Sequence, residues 1–122
     1  MLHQMFHNIK RGEVWLVNLD PTLGHEIKKS RPSVIVQNDV GNAYSPITII
    51  APITSQNTEK VYPFEVLLTS KKEIEKPSKV LLNQLRAIDK ARLVKKLGKL
   101  DEHTMILVDE AIQISLGLIK IQ

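Results

Sequence analysis

Residues 31–54, RPSVIVQNDVGNAYSPITIIAPIT, hold two short apolar runs whose reading decides the fold. Ser33–Gln37 is rich in β-branched residues and is bounded by Arg31-Pro32 and Asn38-Asp39, so it reads as a strand. Ile47–Ile53 is almost continuously apolar, which suits a strand buried on both sides. Working outward, Glu13–Leu19 lies between Gly12 and Asp20-Pro21 and reads as a strand too. Alternation at Phe64, Val66 and Leu68 marks another from about Pro63 to Leu68, and Lys79–Leu82 and Val94–Leu97 add two short ones. Six short strands with little helix between them predict a small, strongly curved barrel rather than an α/β sheet. One helix is expected to close the chain and pack on that barrel. Asp101 is its N-cap, Glu102 complements its first-turn dipole, Met105, Val108, Ala111, Ile112 and Leu116 share a face, and Gly117 stops it. A further turn of helix is expected over Asp89–Leu93. The expected class is therefore mainly β with α (α+β).

A chain of 122 residues is the size of one domain, expected over residues 10–122. The first nine, with His3 and His7 and no apolar periodicity, read as a disordered leader. The absence of cysteine excludes thiolate metal sites and cysteine nucleophiles. The histidines form no zinc-helix pattern, so no metal or other cofactor is expected. No stretch has the roughly 20 apolar residues of a membrane span or the apolar core of a secretory signal, so a cytoplasmic protein without a membrane partner is expected. The formal net charge is +4, but its distribution is uneven: residues 71–99 carry ten Lys/Arg against Glu73, Glu75 and Asp89. One basic surface is expected, favouring a polyanionic partner.

The loop from Asp20 to Arg31 brings Gly24, His25, Glu26, Lys28, Lys29 and Arg31 within eight positions and is long enough to act as a functional lid. A strand starting at Pro32 would hold Arg31 at a fixed sheet edge as a preorganised guanidinium; the plainer reading is a solubilising or carboxylate-paired arginine. Thr54 ends the third strand, where threonine is in any case a good strand residue. Asn83, Gln84 and Arg86 flank the apolar pair Leu81-Leu82, as caps or as ligand contacts. Of the aromatic residues, Trp15 and Phe64 are expected in the core and Tyr44 is the best exposed stacking candidate.

Five of these segments carry a resemblance. Arg11-Gly12-Glu13-Val14-Trp15, Gly24-His25-Glu26 leading to Arg31-Pro32, Gln37-Asn38-Asp39, Ile53-Thr54-Ser55 and Asn83-Gln84-Leu85-Arg86-Ala87-Ile88-Asp89 look like the successive signature blocks of the MazF/PemK family of toxin endoribonucleases, in order from Lys10 to about Leu118. The resemblance implies an SH3-like β-barrel. It also implies a homodimer that cleaves single-stranded RNA at short motifs without a metal, neutralised by a cognate antitoxin whose disordered acidic tail lies along the RNA groove. By the same matching, Arg31 and Thr54 fall on the family's catalytic Arg and Thr, Glu26 on an acidic loop position, and Gln84 and Arg86 on a Gln and Arg near the dimer groove. Two departures stand out: Ala87 occupies a position where Thr is common, and His25 one where small residues are frequent.

The implied chemistry fits the side chains. Metal-free cleavage uses the RNA's own 2′-hydroxyl as nucleophile, so DNA is spared. Arg31 suits the phosphorane oxygens, a task whose loss costs on the order of 10²- to 10³-fold in rate; a guanidinium, which keeps its proton at neutral pH, is a poor base. Thr54 can donate to the same phosphate. His25 and Glu26 both stand as candidate bases. Lys28 and Lys29, with His25, Glu26, Gln84 and Arg86, are the expected RNA contacts. Two rivals are a non-catalytic nucleic-acid-binding barrel, which usually displays more stacking aromatics, and a gyrase-targeting toxin of the same fold. The latter uses a tail ending Trp-Gly-Ile, whereas this sequence ends Leu118-Ile119-Lys120-Ile121-Gln122.

Overall fold

The computed structural model describes residues 8–21, 23–26, 29–69 and 76–121. Lys28, His3, His7 and Phe6 lie outside them. The seven strands are β1 (Glu13–Asn18), β2 (Ser30–Ile35), β3 (Ile47–Thr54), β4 (Glu65–Leu68), β5 (Ser78–Leu81), β6 (Arg86–Asp89) and β7 (Leu93–Lys99). Two helices, α1 (Asp39–Tyr44) and α2 (Glu102–Ser115), and short 3-10 turns at Leu82–Gln84 and Lys90–Arg92 complete the chain. All pairings are antiparallel, in the order β4-β5-β3-β2-β1-β7, with β6 also on β3.

The strand β3 organises this sheet. Along one edge it pairs with β2 at Ile50–Pro52. Its other partners are β6 at Ile47–Ile50 and β5 at Ile53–Thr54. Pro52 stands where one partner gives way to the next, a place where its missing N–H breaks no ladder bond on that side. The split lets the sheet curve strongly, but β4 and β7, the ends of the strand order, do not pair with each other. The expected barrel is thus an open, wrapped sheet.

Both faces of the central strands are buried. Val14, Val34 and Ala51 join Val66, Val80 and Leu82 in one cluster, against which α2 sets Val108 and Ala111. Their neighbours Trp15, Ile35 and Ile50 join Val17, Ile88 and Leu93 in another, as period-2 alternation demands. Ile9, the residue just before Lys10, is 1 % exposed in this second cluster. Trp15 is core as expected; Phe64 is only half-buried and belongs to neither cluster. Helix α2 begins as expected, with the Asp101 carboxylate accepting from Thr104 N at 2.8 Å. Leu116 departs from the expected apolar face: it caps the helix and is 59 % exposed. Gly117, at φ +74°, then lets its own N–H reach Ile114 O at 3.0 Å and Leu118 N–H reach Gln113 O at 2.8 Å.

Helix α1 falls where little helix was expected. Asn38 caps it through Gly41 N at 2.8 Å, and its buried Asn42 is a polar hub. Asn42 Oδ1 accepts from Thr48 Oγ1 at 2.8 Å and Gln37 Nε2 at 3.1 Å, while its Nδ2 donates to Gln37 O and Asp39 Oδ1. The buried Lys90 ammonium donates to Asn42 O, and burial lowers its pKa. Arg11 N–H donates to Asp39 Oδ1 at 2.7 Å, which chiefly holds that carboxyl below its ordinary range. Two of the five signature blocks, at Arg11–Trp15 and Gln37–Asp39, therefore lock α1 and β1 onto the sheet.

Glu13 belongs to the first of those blocks. Burial pushes its pKa up, but the Trp15 indole N–H, the Lys10 amide and the Lys96 ammonium outweigh this, and the net shift is downward from 4.5. A lowered carboxylate stabilises the fold above its unfolded pKa of about 4.3, and that stabilisation disappears as pH falls through the folded value. Glu13→Gln should cost on the order of 1–3 kcal/mol at pH 7. Urea unfolding at pH 7 and at about pH 3 should show the gap to wild type closing in acid.

Candidate functional site

The β2–β3 ladder runs Ser33↔Pro52, Val34↔Ala51, Ile35↔Ile50 and goes no further. Pro32 has no N–H to extend it. Continued by two residues, the same register sets Arg31 opposite Thr54, past the end of the ladder. Strand β2 starts at Ser30, not at Pro32, and Arg31 is held there by pairing with Val17 of β1. Arg31 and Thr54 both line a cleft of ≈ 640 Å³, together with His25, Glu26, Lys29 and Gln84. A smaller cleft of ≈ 460 Å³ shares His25, Glu26 and Gln84 and adds Asn83 and Arg86. Six expected site residues, Lys29 among them, thus line one cleft, and Arg86 lines the next.

Thr54 Oγ1 accepts from Gln56 N at 3.1 Å, which orients the hydroxyl while its own proton remains for donation. The 23–26 turn is closed from both sides: Leu23 N–H donates to Glu26 Oε1 at 2.5 Å, and Glu26 N–H to Leu23 O at 3.1 Å. One oxygen of the Glu26 carboxylate is therefore committed to its own loop. Lys29 sits at φ +67°, a left-handed conformation that costs a non-glycine residue roughly 1–2 kcal/mol. Its N–H to Asp20 Oδ1 at 2.9 Å and its carbonyl, accepting from Leu19 N at 3.1 Å, hold it there.

The roots of this loop are clamped by two guanidiniums. Arg86 Nη1 donates to Leu19 O at 2.7 Å, and Arg92 Nη1 donates to Asn18 O at 3.0 Å and Asp20 O at 2.5 Å. Part of the Arg86 fork is thereby engaged in placing the lid. Arg92 had no expected role, because an arginine's reach to a backbone carbonyl more than seventy positions away leaves no sequence pattern.

The far wall was also not foreseen. Glu65 and Lys79 are diagonal neighbours on the β4–β5 pair, where Leu67 faces Lys79. Their side chains are 7 % and 6 % exposed and meet at 3.0 Å. Lys79 Nζ also donates to Lys60 O at 2.9 Å, and Glu65 Oε1 accepts from Tyr62 N at 3.0 Å. This buried pair ties the segment carrying Lys60 and Tyr62 to the sheet. In sequence the two look like the solvent-facing half of an alternating strand.

Five of the ten cations of the basic segment are engaged within the fold. Lys79 and Lys90 are buried, Arg86 and Arg92 hold carbonyls, and Lys96 pairs with Glu13. The cations of the larger cleft beyond the Glu65–Lys79 pair are Lys29, Arg31 and Lys60, facing Glu26 and Glu59. Among the described residues, no group of three or more His, Asp or Glu could hold a metal ion, and no helix is long and apolar enough to cross a membrane.

The open, wrapped antiparallel sheet with a C-terminal helix thus carries one cleft lined by Arg31, Thr54, His25 and Glu26. The chain belongs to the family of PemK-like, MazF-like toxins of type II toxin-antitoxin systems, whose model matches residues 10–116. It is 45 % identical over 112 residues to endoribonuclease EndoA of Bacillus subtilis (strain 168), covering 91 % of this chain and 97 % of that protein. It is 48 % identical over 111 residues to endoribonuclease MazF of Staphylococcus epidermidis, covering 90 % and 92 %. Among solved structures, MazF of Deinococcus radiodurans superposes with a TM-score of 0.78 at 25 % identity, covering 89 % of this chain and 96 % of that one. A mycobacterial endoribonuclease in complex with its cognate antitoxin shares the fold, with a TM-score of 0.77 at 20 % identity over 93 % and 99 %.

Glu65→Gln should leave the Lys79 ammonium buried without its counter-charge and cost about 3–5 kcal/mol. Adding Lys79→Met should restore most of that loss, since the amide oxygen introduced by Glu65→Gln would still accept from Tyr62 N. Urea midpoints of the single and double variants check both expectations.

Proposed function

We propose that this chain is an endoribonuclease toxin that cuts single-stranded RNA. The observation that carries the reading is Arg31 opposite Thr54 at the frayed β2–β3 ladder, with His25 and Glu26 in the same cleft. The 2′-hydroxyl of the nucleotide before the cut attacks the adjacent phosphorus as its proton leaves to a base. The P–O5′ bond breaks, and a proton goes to the departing oxygen. The products are a 2′,3′-cyclic phosphate and a 5′-hydroxyl end.

Each step has a resident side chain. Arg31 presents a planar fork to two phosphate oxygens from a strand rather than a free loop, so little reorganisation precedes the transition state. That charge stabilisation is the service a metal ion would otherwise supply, so the reading is metal-independent. Thr54 donates a second hydrogen bond to the phosphate. The proton acceptor is His25 or Glu26, and Lys29, Gln84 and the outward edge of Arg86 hold the flanking nucleotides. Lys28 is carried by the same loop in the sequence. A cytoplasmic location follows from an RNA substrate of this kind. Membership of a type II toxin-antitoxin family supports a cognate antitoxin as partner, and the reading gives it an acidic segment in the same cleft and makes a homodimer the working species.

Incubation of the purified protein with mixed-sequence RNA in EDTA should yield discrete cuts with 5′-hydroxyl ends, while the matching DNA stays intact. Arg31→Ala should lower the rate on the order of 10²- to 10³-fold with an unchanged urea midpoint; an unchanged rate removes Arg31 from the mechanism. The acid limb of the pH–rate profile separates the bases: its loss in His25→Ala identifies His25, and its loss in Glu26→Gln identifies Glu26. Uncut RNA would instead favour a binding module.

A further inference from the structure

Beyond Arg31 and Thr54 the larger cleft runs to Lys60 and Tyr62. Tyr62 is 43 % exposed, and its ring lies parallel to that of Phe64, with ring centroids 5.5 Å apart and an interplanar angle of 3°. The Lys60 ammonium stands 5.3 Å from the ring centroid and that of Lys79 5.9 Å. Tyr44, the stacking candidate legible in the sequence, is 84 % exposed but lines neither cleft.

An exposed aromatic ring normally gains nothing from a rigid mounting. This one has three supports. Its backbone N–H is held by the buried Glu65 carboxylate, the carbonyl two residues earlier is held by the buried Lys79 ammonium, and its ring is backed by Phe64. A buried ion pair is costly to assemble and weak as a source of stability alone. Its placement here makes the orientation of one exposed ring and one exposed lysine independent of loop motion. Preorganised π-surface beside a mobile cation is the arrangement that takes an unstacked base and its neighbouring phosphate.

We propose that Tyr62 is the platform of a nucleobase subsite in this cleft, on which one base of a single-stranded RNA stacks while Lys60 swings to the adjacent phosphate. The subsite rests on the RNA-cleaving reading and extends it to substrate positioning. Every base has a π-face, so this position contributes affinity and strand register more than base identity.

The test uses the full chain and a short mixed-sequence 2′-O-methyl RNA, which lacks the free hydroxyl the cut requires. Tyr62→Ala should weaken its binding about 5- to 100-fold, with Tyr62→Phe and Tyr62→Trp close to wild type. Lys60→Ala should lower the salt slope by about one between roughly 50 and 200 mM salt, and Tyr62→Ala should leave that slope in place. Once the cut motif is mapped, an abasic nucleotide walked along the substrate should slow wild type at one position where Tyr62→Ala shows no further loss. Unchanged binding by folded Tyr62→Ala, or no masked position in the abasic walk, overturns the subsite. A protein that binds the 2′-O-methyl strand through Tyr62 yet cuts no RNA keeps the subsite and removes the nuclease reading. Cutting at wild-type rate and affinity by Tyr62→Ala does the reverse.

Discussion

Everything at the candidate site depends on where the β2–β3 ladder stops. A hydrogen-bonded ladder through Arg31 and Thr54 would close the sheet there and leave no opening. Pro32 supplies no donor, β3 turns its last two residues to β5, and the strands end their pairing at Ser33↔Pro52. Arg31 and Thr54 then line one cleft, past the end of the ladder. Proline at these positions is a device for opening a sheet at a chosen register, and its cost is small because the missing donors fall where no partner strand runs.

The remainder of the molecule fixes the walls of that gap. The lid is long, yet its roots are held at Leu19 by Arg86 and at Asn18 and Asp20 by Arg92, and Lys29 is held in a left-handed conformation by bonds to both of its backbone groups. The opposite wall is fixed by a charge pair instead, because the segment from Ser55 to Phe64 has no strand partner of its own and few apolar side chains to bury.

Most strands and α2 were legible in the sequence because their signals are local: β-branched runs, punctuating Gly and Pro, an Asp cap three residues before the N–H it binds. Arg31, Thr54, Glu26 and Gln84 took their roles from a resemblance, and His25 and Lys29 from the loop that carries them; the fold lines one cleft with all six. What stayed hidden is non-local. Helix α1 is short and polar, and it is stabilised by Asn42, Thr48, Lys90 and Arg11 rather than by an apolar face. Strand β6 has four residues and takes its identity from β3. Leu116 satisfies the helical periodicity but comes one position too late to be buried, since the chain is already turning at Gly117.

The charges carry the same lesson with a consequence for recognition. Composition suggests a broad basic surface, but folding assigns the cations elsewhere: Lys79 and Lys90 inward, Arg86 and Arg92 to backbone carbonyls, Lys96 to Glu13. Among the described residues the larger cleft keeps Lys29, Arg31 and Lys60 against Glu26 and Glu59, a surplus of one charge before His25 is counted. Counterion release from these contacts alone gives a shallow salt dependence. An RNA strand held there must gain the rest from groups that do not act through charge. The lining offers two kinds: the amide of Gln84, suited to hydrogen-bonding a base edge, and the mounted ring of Tyr62, suited to stacking on any base. Fixed hydrogen-bonding groups discriminate between sequences better than charge does, because a wrong base leaves a polar group desolvated without a partner.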